Sequence, residues 1–276
     1  MTIALGFSFG PISVLGSDSE ITAGGLAIEG GKITSMWRLE PSGAICLSGA
    51  GSMAYVQILT SEIQEKFRDW HGSMEEFGAW TKEYVHDFYE RHVLPLLDSH
   101  PTPPNYRLLI MAHHNHDSKF WSTEKTLLIP EHSFKAVGSG GPIATGLLNS
   151  LYRSYLKLNG AAILAAYIIY RAKHSVQGCG FATEIRFLYG DRFGVVSLEF
   201  IERCEELFKK YEKLEKELFY FSTALPASEP ALNLPPQLAD KIKAARERTI
   251  KDVLKDAEQM RAEFSKLEVI QGNNVI

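Results

Sequence analysis

A few residues in this 276-residue chain have the type and spacing to do chemistry. His113, His114, His116 and Asp117 form a cluster of metal-ligand types. Neighbouring residues of a strand point to opposite faces, however, so the cluster predicts a polar hairpin tip. Gly138-Ser139-Gly140-Gly141 ahead of a helix could cradle a phosphate. No Lys-Ser/Thr pair follows it, and it reads as a tight strand-to-helix turn. Cys46, Cys179 and Cys204 are far apart, odd in number and outside any CxxC pattern. That excludes a disulfide framework or zinc ribbon and points to a reducing cytosol. Thr2, Asp18 and Lys32, taken singly, read as a strand residue, a turn residue and a surface lysine. Taken with the glycine turns, they become a hydroxyl, a carboxylate and an ammonium that one fold could bring together.

The elements that must position them alternate in type. Strands are predicted at Thr2–Phe9, Ile12–Gly16, Lys32–Leu39 and Ala44–Ser48. The period then turns helical from Ser52 to about Trp70, with Tyr55, Ile58, Leu59, Ile63 and Phe67 on one face. A second helix runs from about Met74 to Leu97 and is ended by Pro101, Pro103 and Pro104. Tyr106–His113 and Ser118–Ile129 predict a hairpin with Asn115–His116–Asp117 near its tip, followed by a short strand at Phe134–Val137. Helices at Pro142–Leu158 and Ala161–Val176 precede a strand pair, Phe181–Tyr189 and Gly194–Phe200, around a Gly190–Asp191 turn. Strands, two helices, strands, two helices, strands predict an α+β fold with four αββα layers over residues 1–200.

Residues 201–276 differ. Glu202–Tyr220 and Gln237–Leu267 are charged amphipathic helices around a linker rich in proline and alanine (223–236). Thirteen basic and fourteen acidic residues in 201–276 suit solvated helix faces or a partner helix, not a nucleic-acid arm. The whole chain carries a net charge of -4, so neither nucleic acid nor an anionic membrane is an expected partner. The most apolar stretch, Ala161–Tyr170, is too short to span a bilayer, and the start of the chain has no signal-peptide pattern. A cytoplasmic location is expected, without metal or cofactor.

Thr2-Ile-Ala-Leu-Gly6, Gly16-Ser-Asp18-Ser19 and Thr22-Ala-Gly24 resemble the start of mature proteasome β-subunits and of the bacterial peptidase subunit of two-component ATP-dependent proteases. Lys32 falls at the family's active-site lysine. Ser48-Gly49-Ala50-Gly51, Gly138–Gly141 and Gly178-Cys179-Gly180 match its glycine turns, and the likeness covers about residues 2–200. It implies an N-terminal-nucleophile (Ntn) hydrolase sandwich with a C-terminal helical extension. It also implies a threonine-type peptidase acting in a self-compartmentalising homo-oligomeric ring on peptide or unfolded protein, with an ATPase or unfoldase as a further expected partner.

That resemblance assigns roles. Thr2 would become the first residue when Met1 is removed. Its own α-amino group, with an unperturbed pKa of about 7.7–8.0, would then be the base for its hydroxyl. Lys32 would lower that pKa and favour the alkoxide, Asp18 would hold Lys32 charged and aimed, and the Gly49 amide would donate to the oxyanion. Ile21, Leu47 and Gly51 fall near the family's side-chain pocket, implying an apolar preference. The edges at Thr22 and Gly49 would pair with an extended peptide. The chain departs from the family at three supporting positions. The serine before the third helix is matched by Gly141, and an Asp and Ser three residues apart are matched by His174 and Gln177. These departures raise two alternatives: a binding or structural homologue without hydrolysis, and an acyl or peptidyl transferase using the same Thr2 ester.

Overall fold

The first two strands, β1 (Ile3–Phe9) and β2 (Ile12–Asp18), are buried along nearly their whole length, as strands covered on both faces are. A small hairpin follows, β3 (Glu20–Ala23) and β4 (Leu26–Glu29), then β5 (Ile33–Arg38) and β6 (Gly43–Gly51). Helices α1 (Met53–Arg68) and α2 (Met74–His92) come next. Four more strands, β7 (Tyr106–His114), β8 (Asp117–Glu124), β9 (Leu127–Pro130) and β10 (Phe134–Gly138), lead into α3 (Gly141–Leu151) and α4 (Leu158–Ser175). The hairpin β11 (Thr183–Tyr189) and β12 (Arg192–Val195) is followed by α5 (Leu198–Ala224). This computed structural model describes residues 2–23, 26–38, 42–97, 104–189 and 192–224. Within 225–276 it describes positions 240, 244, 247, 248, 251, 252, 255, 258, 259 and 262, which are helical and exposed. Nearly all of the linker expected at 223–236 and the Gly190–Asp191 turn lie outside the described residues.

The strands form two five-stranded antiparallel sheets, ordered β10-β1-β2-β11-β12 and β5-β6-β7-β8-β9, besides the β3–β4 hairpin. Ala4 and Leu15 of the first sheet pack against Ile33, Cys46, Leu109 and Met111 of the second, filling the layer between them. On the outer face of the second sheet, Ile45 and Leu47 meet Leu59, Ile63 and Phe67 of α1 and Phe77 and Val85 of α2. Each such fully buried side chain contributes about 1.5–3 kcal/mol. On the outer face of the first sheet, α4 lies so close to β2 that a Cβ at Gly16 would come within 2.9 Å of Ile169 Cδ1. The result is an αββα sandwich. The described residues divide into two compact units, one ending at Ile201 and one beginning at Glu202. No helix among the described residues is long and apolar enough to cross a membrane.

Several elements differ from the sequence expectation for identifiable reasons. In α1 the buried face is Val56, Leu59, Ile63 and Phe67, and Ile58 lies across the helix, 45% exposed. Helix α2 stops at His92 and gives way to a 3-10 turn at Leu94–Leu96, because Pro95 has no amide hydrogen to continue the i to i−4 ladder. The arm expected at Ser118–Ile129 is two strands, β8 and β9, broken where Lys125 takes a φ of 54°. At the β7–β8 turn, Asn115 and His116 both have positive φ, the pattern of a two-residue hairpin loop. His113 and His114 are buried strand residues, not part of the tip. The His113 Nδ1 pairs with Ser118 Oγ at 2.8 Å, and the His114 Nδ1 with the Ser42 carbonyl at 3.0 Å. The last strand ends at Val195. Ser197 opens α5 by accepting, on its Oγ, the Phe200 amide at 3.3 Å.

Candidate active site

Thr2 precedes β1, Asp18 ends β2 and Lys32 leads into β5, so two strands of one sheet and the first strand of the other converge. Asp18 is fully buried, and its Oδ1 accepts from the Thr2 hydroxyl at 2.8 Å, the Ile3 amide at 2.9 Å and the Lys32 ammonium at 2.6 Å. Its Oδ2 accepts the Gly180 amide at 3.0 Å. The Lys32 ammonium also donates to the Thr2 Oγ1. Burial pushes the Lys32 pKa below the usual lysine value, against the opposing pull of Asp18. The hydroxyl therefore sits between a buried ammonium, which favours its ionised form, and a buried carboxylate, which accepts its proton in a hydrogen bond and keeps the ammonium aimed.

Two devices hold this set in place. Gly138, with a φ of 93°, lets the β10–α3 turn reach Thr2; a Cβ there would come within 2.2 Å of the Thr2 carbonyl oxygen. Gly140 then donates its amide to that carbonyl at 3.2 Å. Glu184 on β11 is the second device. Its Oε2 accepts from the Lys32 and Ile33 amides, each at 3.3 Å, so the first sheet fixes the backbone that carries the lysine.

Ser139, which the sequence reading passed over, is the hydroxyl at the Thr2 nitrogen. Its Oγ accepts from that nitrogen at 3.1 Å and donates to the Thr2 carbonyl at 3.2 Å. The Cys179 Sγ lies 3.8 Å from the Ser139 Oγ, and burial raises the thiol pKa, so it is neutral at neutral pH. Gly141, expected in the supporting role, is instead the buried first residue of α3. His174 and Gln177 are exposed. The His174 Nδ1 faces the Tyr170 carbonyl of its own helix at 2.8 Å and its ring lies on Tyr170. The side chains beside the Thr2 nitrogen and its neighbouring turn are therefore Ser139 and Cys179, not His174 and Gln177, and Gly141 lies in α3. Ser139 stood inside the glycine turn, where its type was read as turn chemistry only.

The expected binding residues fall on two strand segments. Strand β5 begins at Ile33 opposite Ser48, so Gly49, Ala50 and Gly51 of β6 extend past it. Gly51 is exposed with a φ of 102°, and a Cβ there would strike the Asn105 carbonyl oxygen at 2.0 Å. Strand β3 pairs on one side with β4, placing Thr22 opposite Ala27 and the half-buried Ile21 opposite Ile28. Leu47 is fully buried in the core beneath α1. Among the described residues, no group of three or more His, Cys, Asp and Glu is arranged to hold a metal ion.

A family model for the proteasome subunit matches residues 2–185. Among solved structures, Anbu (ancestral β-subunit) from Yersinia bercovieri is similar at 15% identity and a TM-score of 0.65, covering 84% of this chain and all of that one. Anbu from Hyphomicrobium sp. strain MC1 matches at 14% identity and a TM-score of 0.62, over 83% of this chain and 100% of that one. The Anbu complex from Pseudomonas aeruginosa, solved as a helical assembly, matches at 15% identity and a TM-score of 0.64, over 84% of this chain and 100% of that one. No curated protein sequence matches.

Proposed function

Since the chain belongs to the proteasome subunit family, we propose that it is a threonine-type peptidase whose nucleophile is the Thr2 hydroxyl once Met1 has been removed. One observation carries the reading: the Lys32 ammonium and the Asp18 carboxylate both bond to the Thr2 hydroxyl, with all three residues buried. With Met1 gone, the Thr2 nitrogen is an α-amine held by Ser139. It takes the hydroxyl proton as Oγ1 bonds to the substrate carbonyl carbon, then passes that proton to the leaving nitrogen as the C–N bond breaks. Water hydrolyses the resulting ester and returns the enzyme. Lys32 stays charged throughout and Asp18 keeps it aimed. The Gly49 amide is the proposed oxyanion donor, worth about 3–4 kcal/mol in comparable sites.

The substrate is an extended peptide. It adds as a strand along β6 beyond the start of β5 and along the side of β3 that pairs with no strand among the described residues, bringing its carbonyl to Thr2. Ile21 supports an apolar preference at that edge. Homo-oligomeric assembly belongs to the same proposal, supported by the Pseudomonas aeruginosa Anbu complex. A closed ring, an ATPase or unfoldase partner and a cytoplasmic setting complete it, the last supported by three free, buried thiols. The neutral Cys179 thiol beside Ser139 motivates a second reading, in which hydrolysis is lost and only binding or acyl transfer remains.

The test compares wild type with Thr2→Ala. Intact mass establishes removal of Met1, a threonine-directed electrophile should label wild type alone, and peptide cleavage should vanish in the variant. Equal cleavage by both proteins would refute the mechanism. Aminolysis products formed with an added amine would assign transfer instead of hydrolysis.

A further inference from the structure

Phe181 is held in a costly conformation for no benefit to the core. Its φ is 56°, a left-handed geometry unfavourable for an aromatic residue, and it is 50% exposed. Glycine stands on the same loop at Gly178 and Gly180 and would take that backbone without strain. The surrounding chain is pinned from both sides. The Gly180 amide bonds Asp18, Lys173 Nζ donates to the Phe181 carbonyl at 3.1 Å, and the Ala182 amide donates to Ser19 Oγ at 2.9 Å. Ser19 also donates its amide to the Ala182 carbonyl at 2.9 Å. An observed backbone outlier with an exposed ring, one residue from a ligand of the catalytic carboxylate, points to a contact made outside the fold.

The reaction direction says which contact. In the reading above, the proton reaches the leaving nitrogen from the Thr2 nitrogen, so the leaving segment departs on that side. Ser139 borders that nitrogen, the Cys179 Sγ lies 3.8 Å from the Ser139 Oγ, and the chain runs on from Cys179 through Gly180, whose amide bonds Asp18, to Phe181. We propose that Phe181 is a specificity-determining residue whose ring packs on an apolar side chain of the substrate just after the scissile bond. This rests on the Thr2 reading and adds the chemistry of the leaving side to it.

The test uses two quenched peptides that differ only after the scissile bond, with Leu or Gly there, cleaved by wild type, Phe181→Gly and Phe181→Leu. Wild type should prefer the Leu peptide about tenfold in kcat/KM, mostly through KM. Phe181→Gly should lose that preference while its Tm rises by about 2–4 °C as the strain is relieved. Phe181→Leu should keep most of the preference. An unchanged Leu/Gly ratio in Phe181→Gly overturns the proposal, and a changed native mass with that ratio unchanged assigns the ring to a contact between copies. Labelling of wild-type Thr2 by a small electrophile separates the two levels. Labelling with unaltered selectivity sinks only the Phe181 assignment, whereas absent labelling removes both.

Discussion

Replacing Asp18 with asparagine keeps the shape of the site and removes its only fully buried carboxylate among the described residues. Four donors now converge on it: the Thr2 hydroxyl, the Ile3 amide, Lys32 Nζ and the Gly180 amide. The substituted side-chain amide would turn an N–H toward at least one of them. Leaving a buried ammonium without its partner costs about 3–5 kcal/mol. The folded protein escapes part of that cost by releasing the Lys32 proton. Burial already pulls the Lys32 pKa down, and loss of the opposing carboxylate pulls it further below the unfolded value of about 10.4. Between those two values the unfolded chain holds more protons, so the stability of Asp18→Asn rises with pH. The deficit relative to wild type should be about 3–5 kcal/mol at pH 6. It should shrink to about 1–2 kcal/mol near pH 9.5, where the unpaired donors remain. Guanidinium unfolding followed by tryptophan fluorescence measures it cleanly, because Trp37, Trp70, Trp80 and Trp121, all the tryptophans of the chain, lie in the first compact unit. A deficit that stays constant or grows between the two pH values would show that Asp18 does not hold the Lys32 charge.

Two further outcomes follow from the same site. In Gly49→Ala the new methyl would lie 2.7 Å from Val56 Cγ1 and 2.9 Å from the Arg107 carbonyl oxygen. Overpacking should cost about 1–3 kcal/mol in a thermal melt, and displacement of the amide should cut kcat about 10²-fold. The kcat/KM profile should rise with pH as the Thr2 α-amine loses its proton and fall as Lys32 does. Because burial lowers the Lys32 pKa, the falling limb should lie below the ordinary lysine value; a limb at or above that value would contradict the burial argument.

Much of the scaffold was legible because period and capping agreed. Ser73 and Glu76 form a capping box that starts α2 where the sequence places it. Strands β1 and β2, buried along nearly their whole length, were visible as two apolar stretches around the Gly10–Pro11 turn. The β8–β9 break was not, because Lys125-Thr126 carries neither glycine nor proline and the turn is set by pairing of Glu124 with Leu127. Ser197, a serine capping α5, was a readable signal hidden inside the strand expected to continue to Phe200. At the site, Thr2, Asp18 and Lys32 could be singled out by family spacing. Ser139, Cys179 and Glu184 could not, since their roles depend on how loops and an opposing sheet dock. The register of a loop has no period to read, which is why His174 and Gln177 were singled out where the chain brings Cys179.

Glu184 belongs to one sheet and grips the backbone at the mouth of the other, while the lysine it steadies reaches back to a threonine on its own side. The Thr2 hydroxyl thereby works as a gauge of the gap between the two slabs. A substitution that swells the filling at Ala4 or Cys46 by one methylene would reach the chemistry as a lengthened ammonium-to-hydroxyl contact well before it loosened the sandwich. Under the proposed mechanism, drift in the interior is accordingly constrained by reactivity as much as by folding.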